Sequence, residues 1–216
     1  LGVARIDVLL VHDIGTATHG SDNAHHLSAL RDSGARALEE LRAAGVVRAT
    51  GLGVNEVDAC LQALDWGSFD CFLLAGRYTL LEQEPLKALM SRLAAAGVSL
   101  IVGGVFNSGI LATGTHGADR RYYNYQPAGT AVLQKVRRLE DICDAHAVAL
   151  AAAAIQFPLA HPVVASVIPG VSNPAEVASA IGNARARIPA SFWSDLKAEG
   201  LLEPSAPVPA ERGDST

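Results

Sequence analysis

The first residues with the chemistry of a catalytic group are His12 and Asp13, which end an apolar run that begins at Ile6 and is broken only by Asp7. A run of Ile, Val and Leu without alternation favours a strand that is buried on both faces. Parallel α/β proteins keep their chemistry at the carboxyl ends of such strands. His12 could donate a proton or a hydrogen bond to a carbonyl, or it could be a structural histidine. Asp13 could orient His12 or bond to loop amides, and the spacing does not separate these roles.

Two glycine-containing segments predict a region that binds an anion. Ile168–Pro174, with the sequence IPGVSNP, is typical of a last strand that leads into the N-terminus of a helix. Backbone N–H groups and the helix dipole favour a phosphate at such a point. Gly103–Gly109, with the sequence GGVFNSG, is small enough to let a ligand approach the backbone closely. Two ordinary glycine-containing turns are the alternative, but barrels often bind phosphate with their last two loops.

The long segment Gly103–Gln126 shows little periodicity and contains Tyr122, Tyr123 and Tyr125. A loop of this length in a compact domain is usually functional or disordered. The aromatic side chains could shape the mouth of a substrate site, or they could pack the loop onto the protein, and both interpretations carry equal weight. Together with Asp13, they are candidates for a substrate loop.

The order of the elements predicts an α/β fold with a parallel sheet, because strands alternate with helices as in βαβ units. The predicted strands are Ile6–Asp13, Val46–Val54, Asp70–Ala75, Val98–Val102 and Val163–Ile168. The predicted helices are Ser33–Ala44, Glu56–Leu64, Pro85–Ala96, Thr130–His146, Leu150–Leu159, Pro174–Ala184 and Pro189–Glu199. The connections between parallel strands should be right-handed.

Two local features complete this prediction. Ile14–His26 is predicted to be a polar loop, and Asn55 is predicted to cap the helix that begins at Glu56. Five strands fit either an open doubly wound sheet or part of a (β/α)8 barrel, which needs eight strands. Because the chain starts almost directly in a strand, it could be the later part of a longer barrel.

The composition argues against several classes of partner. The 216 residues include 17 Lys and Arg against 22 Asp and Glu, which gives a net charge of −5. This balance does not favour nucleic acid or an anionic membrane surface as a partner. Cys60, Cys71 and Cys143 have no CxxC spacing, which predicts buried, reduced thiols, no metal site and a cytoplasmic protein. The sequence has no signal-peptide pattern and no apolar run of membrane-spanning length.

The sequence resembles the aldo-keto reductase superfamily over nearly its whole length, up to about Pro207. The segments that carry the resemblance are LGVARIDVLLVHD, GVVRATGLGVNE, LLAGRYTLLEQ, VSLIVGGVFNSGILATG, LAAAAIQFPLAHP and SVIPGVSNPAEV. They are similar in particular to the branch of NAD-linked D-threo-aldose (L-fucose) 1-dehydrogenases and pyridoxal 4-dehydrogenases. The resemblance implies a (β/α)8 barrel, a nicotinamide cofactor and a small-molecule carbonyl or alcohol substrate. The implied reaction is hydride transfer between the nicotinamide and an aldose or a pyridoxal-type alcohol.

The resemblance also implies roles for single residues. His12 matches the catalytic His of the family, which orients and polarises the substrate oxygen. Val54 and Asn55 match a Ser–Asn pair that holds the nicotinamide carboxamide, and Val54 lacks the hydroxyl. Gly103 stands where many relatives have a Tyr that stacks on the nicotinamide. The matches beside the pyrophosphate and the adenosine ribose are Phe106, Asn107, Ser108, Gly109, Pro169, Gly170, Val171, Ser172, Asn173 and Glu176.

The last of these segments predicts NAD in preference to NADP. Relatives that use NADP place an Arg or a Lys in this loop, where it pairs with the 2′-phosphate. Gly170–Asn173 carries no charge here, and Glu176 follows it. A carboxylate would repel a 2′-phosphate but could accept a hydrogen bond from a ribose hydroxyl.

The other members of the family's catalytic set have no match in this sequence. The family's Asp, Tyr and Lys lie on its first three βα units, and the five units predicted here match strands four to eight. We therefore expect residues 1–203 to form a barrel that is incomplete at its N-terminus and residues 204–216 to form a flexible tail. Another segment or a second copy would complete the barrel. The alternatives are a truncated, inactive product and a barrel enzyme of different chemistry that acts on a phosphate-bearing ligand.

Overall fold

A computed structural model describes residues 2–116 and 121–210 of the protein. The chain divides into two compact units, and each is described by itself. Unit 1 consists of Leu1–Arg77 and Glu84–Ile101, and unit 2 consists of Tyr78–Gln83 and Val102–Thr216.

The described residues form an α/β fold in which strands and helices alternate. The strands are β1 Val8–His12, β2 Ala49–Val54, β3 Cys71–Ala75, β4 Ser99–Gly103, β5 Tyr122–Tyr123, β6 Gln126–Pro127 and β7 Val164–Ile168. The helices are α1 Thr16–His19, α2 Asn23–Ala29, α3 Ala35–Ala43, α4 Val57–Ala63, α5 Leu89–Ala96, α6 Ile110–Thr113, α7 Thr130–Ala145, α8 Leu150–Leu159, α9 Pro174–Arg185 and α10 Ala190–Ala198. A π-helical turn, Leu30–Gly34, joins α2 to α3.

The main sheet has five strands in the order β1-β2-β3-β4-β7, and β5 and β6 form a separate antiparallel hairpin. β1 runs parallel to β2, with His12 opposite Gly53, and β2 runs parallel to β3. The five predicted strands are confirmed, with their ends shifted by a few residues. Parallel pairing brings the carboxyl ends of β1, β2 and β3 to the same edge of the sheet.

Buried strands and two helices make the core of unit 1. Leu52 on β2 and Phe72 and Leu74 on β3 are fully buried, as are Cys60 on α4 and Leu93 on α5. The prediction that β1 is buried on both faces is wrong, because Val8 is 44% exposed and His12 is exposed. Among the described strands, β1 lies at the end of the strand order and pairs with β2 alone, so an apolar run did not guarantee burial there.

The prediction of a loop at Ile14–His26 is wrong, because α1, a short 3-10 helix and the start of α2 occupy this segment. The N-terminus of α1 is held by the Glu56 carboxylate, which accepts hydrogen bonds from the backbone N–H groups of Thr16 and Ala17 at 3.2 and 2.8 Å. Asn55 does not cap α4, which begins after Glu56 without a side-chain cap. The first helix of this segment is thus capped by a partner 40 residues away in the chain.

Aromatic side chains fill the core of unit 2. Trp193 and Phe192 on α10 and Phe157 on α8 are fully buried, and Phe157 lies against Tyr78 with ring centroids 5.2 Å apart. The predicted helix Leu150–Leu159 is confirmed at both ends. The aperiodic stretch predicted for Gly103–Gln126 is wrong in part, because it contains α6 and β5 and reaches into β6.

The three cysteines are free and buried, as predicted. Burial raises the pKa of the Cys60 thiol to about 12 and that of Cys143 to about 12. The predicted tail begins with residues that pack onto the chain, because Ala206 is buried and Lys197 Nζ donates to Pro204 O at 3.0 Å. The rest of the tail, residues 211–216, lies outside the described residues. In the described part of the chain, no single helix has the length and apolar character needed to cross a membrane.

Gly51 on β2 is expected to tolerate no side chain, because a Cβ there would lie 1.6 Å from the backbone oxygen of Cys71. We predict that Gly51→Ala lowers the free energy of unfolding by about 3 kcal/mol or more, since a backbone contact cannot move aside as a side chain can. Gly53→Ala is the matched control in the same strand, because its Cβ would meet only ordinary contacts at 3.8 to 4.0 Å. Urea unfolding of both variants measures the difference, and equal losses would contradict the prediction.

Candidate functional site

At the carboxyl end of β1 in unit 1, His12 stands beside Asp13. The His12 side chain is 83% exposed, and its Nδ1 lies 3.4 Å from Asp13 Oδ2. Asp13 has a left-handed backbone with φ of 51°, and its N–H donates to Gly53 O at 2.7 Å. This bond fixes the chain just after β1 against the neighbouring strand. The imidazole is therefore held on an ordered backbone with its ring accessible to a ligand.

The carboxyl end of β2 adds Val54 and Asn55 to this cluster. Val54 is buried in the core of unit 1, whereas Asn55 is half-buried. The backbone carbonyl of Asn55 accepts a hydrogen bond from Arg77 Nε at 2.8 Å. Sequence reasoning missed Arg77, although it follows a buried strand as a polar residue in the same way that His12 does.

The two predicted anion-binding segments line one cleft in unit 2, with a volume of about 480 Å³. A cleft of this size is in the usual range for small-molecule sites. The predicted residues that line it are Phe106, Ser108, Gly109, Tyr125, Gly170, Val171 and Glu176. Gly104, within the predicted segment Gly103–Gly109, also lines it. Further lining residues, which sequence reasoning missed, are Ala112, Thr113, Ala151, Ser179, Ala180 and Asn183. Most of the missed residues lie on α6 and α9, and the helical spacing of Glu176, Ser179, Ala180 and Asn183 was the signal that could have identified those on α9.

The loop after β4 has an unusual backbone at the cleft. Asn107, Ser108 and Gly109 all have positive φ values, of 44°, 60° and 97°. Non-glycine residues rarely adopt this conformation, and it is frequent at ligand sites. Ser108 Oγ accepts a hydrogen bond from Tyr125 N at 3.0 Å, which ties the hairpin turn to this loop. Asn107, in the same loop, is buried and does not line the cleft.

Glu176 organises the loop after β7. Its carboxylate accepts hydrogen bonds from Ser172 N at 2.7 Å and from Asn173 Nδ2 at 2.8 Å. In return, Asn173 Oδ1 caps α9 by accepting from Glu176 N at 3.0 Å. The backbone and side-chain hydrogen bonds from Ser172 lower the pKa of Glu176, which keeps it ionised. Ser172 and Asn173 thus contact Glu176, and neither lines the cleft.

The remaining predicted residues also lie away from the cleft lining. Pro169, Tyr122 and Tyr123 do not line it, and of the three predicted tyrosines only Tyr125 does. Glu176 is the one charged residue among the described lining residues. Neutral donors, small side chains and one carboxylate suit hydroxyl groups and an apolar ring better than they suit a phosphate group beside Glu176. No group of three or more metal-ligating side chains is arranged around a common point within residues 2–116 and 121–210.

Comparison with known proteins identifies relatives of the chain. The model of the aldo/keto reductase family matches residues 1–199. Pyridoxal 4-dehydrogenase from Microbacterium luteolum is 44% identical over 203 residues, which are 94% of this chain and 59% of that protein. D-threo-aldose 1-dehydrogenase from Pseudomonas sp is 38% identical over 205 residues, which are 95% of this chain and 59% of that protein. The chain thus spans less than two thirds of the length of either relative.

A solved structure supports the fold. The apo form of the aldo-keto reductase AKR11C1 from Bacillus halodurans superposes with a TM-score of 0.66 at 22% identity. The match covers 92% of this chain and 62% of that one. At this level of identity the match supports the fold alone.

The ionised Glu176 carboxylate predicts a pH-dependent difference in stability between the wild type and Glu176→Gln. Because folding lowers its pKa, its contribution is complete above the ordinary value of 4.5 and is lost as pH falls through the lowered value. The wild type should therefore exceed Glu176→Gln in unfolding free energy at pH 7, and the gap should narrow below about pH 4.5. Urea unfolding at several pH values measures this gap. Asp58→Asn, in the first turn of α4, is the control, and a gap for Glu176→Gln that is constant down to pH 3 would contradict the prediction.

Proposed function

The chain belongs to the aldo/keto reductase family, and on that premise we propose that the native protein is a nicotinamide-dependent oxidoreductase. It would interconvert an aldose, or a similar alcohol or aldehyde, and its oxidised product. The observation that carries the proposal is the cleft of unit 2, because it joins the two loops that the family resemblance assigns to one dinucleotide. If the two segments were ordinary structural turns, nothing would require them to line the same cleft.

In this proposal the cofactor supplies the hydride acceptor, and the residues of the chain bind and orient it. The pyrophosphate would contact Phe106, Ser108 and Gly109, and the Ser108 hydroxyl could donate a hydrogen bond to it. Gly170, Val171 and Glu176 would contact the adenosine ribose. The conformation of these two loops would be maintained by predicted residues that do not line the cleft, namely Asn107, Pro169, Ser172 and Asn173. In unit 1, Asn55 would hold the nicotinamide carboxamide, while Val54 supports it from the core.

Glu176 supports a preference for NAD over NADP. Its carboxylate is ionised and held in place by Ser172 and Asn173. A 2′-phosphate beside it would meet a fixed negative charge, whereas a 2′-hydroxyl could donate a hydrogen bond to it. The described lining residues include no Lys or Arg that would offset the repulsion.

His12 would orient the reacting oxygen of the substrate. Its exposed ring can form a hydrogen bond with the substrate oxygen, and Asp13 Oδ2 lies 3.4 Å from Nδ1, where it can favour the tautomer with hydrogen on that nitrogen. The ring's Nε2 would then be an acceptor, or a donor when the imidazole is protonated. The substrate class follows from the two relatives, a pyridoxal dehydrogenase and an aldose dehydrogenase. Our candidates for substrate contact are Tyr122, Tyr123 and Tyr125 in unit 2 and Asp13 in unit 1.

We also propose that β1 to β4 and β7 correspond to strands four to eight of a (β/α)8 barrel, within residues 1–203. The exposed apolar residues of β1 and the preceding segment, including Val8 and Ile6, support this arrangement, because further barrel elements would cover them. A segment or copy outside these residues would supply the Asp, Tyr and Lys of the family's catalytic set. We place the protein in the cytoplasm on the basis of its free, buried thiols.

The cofactor preference predicts that the native protein binds NAD more tightly than NADP. Glu176→Lys should narrow the ratio of the two dissociation constants by about tenfold or more, because it replaces repulsion of a 2′-phosphate with attraction. Fluorescence titration with each dinucleotide measures the ratio. Glu39→Lys, at an exposed position on α3, controls for the change in net charge. Tighter binding of NADP by the wild type would contradict the preference.

The role of His12 predicts a loss of turnover in His12→Ala. We expect kcat for NAD-dependent aldose or pyridoxal-type alcohol oxidation to fall by about 100-fold, which is typical for removal of a group that positions or polarises the reacting oxygen. NAD binding should change little, because His12 is not assigned a cofactor contact. His25→Ala, at an exposed position on α2, is the matched control. An unchanged kcat in His12→Ala would remove His12 from the proposed mechanism.

A further inference from the structure

Glu140 is a buried carboxylate that the proposed reaction does not use. It lies on α7 in unit 2 and is 8% exposed. Burial of a carboxylate is costly unless hydrogen bonds replace the lost water. Both carboxylate oxygens of Glu140 are therefore expected to accept hydrogen bonds.

The turn after α6 supplies the donors. Thr115 N donates to Glu140 Oε1 at 2.6 Å, and the Thr115 hydroxyl donates to Oε2. His116 Nε2 lies 3.7 Å from Oε2. One carboxylate thus binds a backbone group and a side chain of the same residue, which fixes the turn in position and in orientation.

Gly114 makes room for this contact. Its φ is 70°, and a Cβ at this position would lie 2.0 Å from Glu140 Oε1. A larger residue would therefore displace the carboxylate in addition to straining the backbone. The Glu140 carboxylate thus occupies the space that a side chain at Gly114 would take.

The anchored turn is continuous with one wall of the cleft. Gly114 N donates to Ile110 O at 2.9 Å, and Thr113 N donates to Gly109 O at 3.1 Å. α6 is only four residues long, so these bonds couple its position to that of the turn that follows. Gly109, Ala112 and Thr113 all line the cleft.

We propose that Glu140 is a positioning residue for the cofactor, acting through Thr115 and α6 on the wall of the cleft. The inference rests on the proposed function, since it assumes that this cleft holds the dinucleotide. Glu140 itself lines no part of the cleft and would not contact the cofactor. Its effect is expected on dinucleotide affinity and not on the reaction of bound substrate.

The test compares three variants of the native protein by calorimetric titration with NAD, well below their unfolding temperatures. Glu140→Leu keeps most of the volume and removes both acceptors, and we expect the dissociation constant to rise about tenfold. Glu140→Gln should stay near the wild type, because its carbonyl can accept from Thr115 N while its NH2 donates to the Thr115 hydroxyl. Thr115→Val removes one of the two bonds and should raise the dissociation constant by about threefold. kcat at saturating NAD should change little in all three.

Asp141→Leu, an exposed neighbour on the same helix, is the matched control and should leave NAD affinity unchanged. If Glu140→Leu does not fold, Thr115→Val and Glu140→Gln still decide the question. Variants that lower the melting temperature but bind NAD like the wild type would show an anchor for stability alone and overturn the inference, with the proposed function intact. A wild-type protein that binds neither NAD nor NADP would overturn the proposed function, and this inference with it.

Discussion

One interaction recurs in the three loops that follow β1, β4 and β7: a carboxylate that accepts hydrogen bonds from a backbone N–H. Glu56 binds the start of α1, Glu140 binds the turn after α6, and Glu176 binds the loop before α9. In each case a hydroxyl of the same loop, on Thr16, Thr115 or Ser172, donates to the same carboxylate. Hydrogen bonds to a charged acceptor are among the strongest in proteins. The loops that carry the candidate site are therefore fixed by contacts outside the sheet itself.

This use of acidic side chains affects what the site can bind. Each anchor leaves a negative charge close to a loop, and Glu176 stands at the edge of the cleft itself. A ligand in the cleft must then be attracted by neutral donors and by apolar contact with small side chains and Tyr125. This requirement is the physical basis of the preference for NAD over NADP that we propose.

The sequence predicted the sheet better than it predicted the loops. Strands such as β2 and β3 have local apolar patterns, and α8 is bounded by Ala149 and Ala160 where its pattern ends. The helices in Ile14–His26 escaped prediction because their N-terminal partner, Glu56, is distant in the chain. At the site, the glycine-containing segments indicated which two loops would line the same cleft. Their composition could not indicate that Ser172 and Asn173 would turn toward Glu176, or that Arg77 would bind the carbonyl of Asn55.

Gly114 and Glu140 have a counterpart in Gly15 and Glu56, where a Cβ on the glycine would again lie 2.0 Å from a carboxylate oxygen. In both pairs the missing side chain of one residue is the space that the other occupies. A side chain on either glycine would displace the facing carboxylate from its hydrogen bonds, and loss of either carboxylate would leave a cavity beside the glycine. Each pair therefore forms a single packing unit, although its members lie 26 and 41 positions apart in the sequence. A side chain at either glycine is therefore expected to be tolerated better when the facing carboxylate is replaced by a smaller residue.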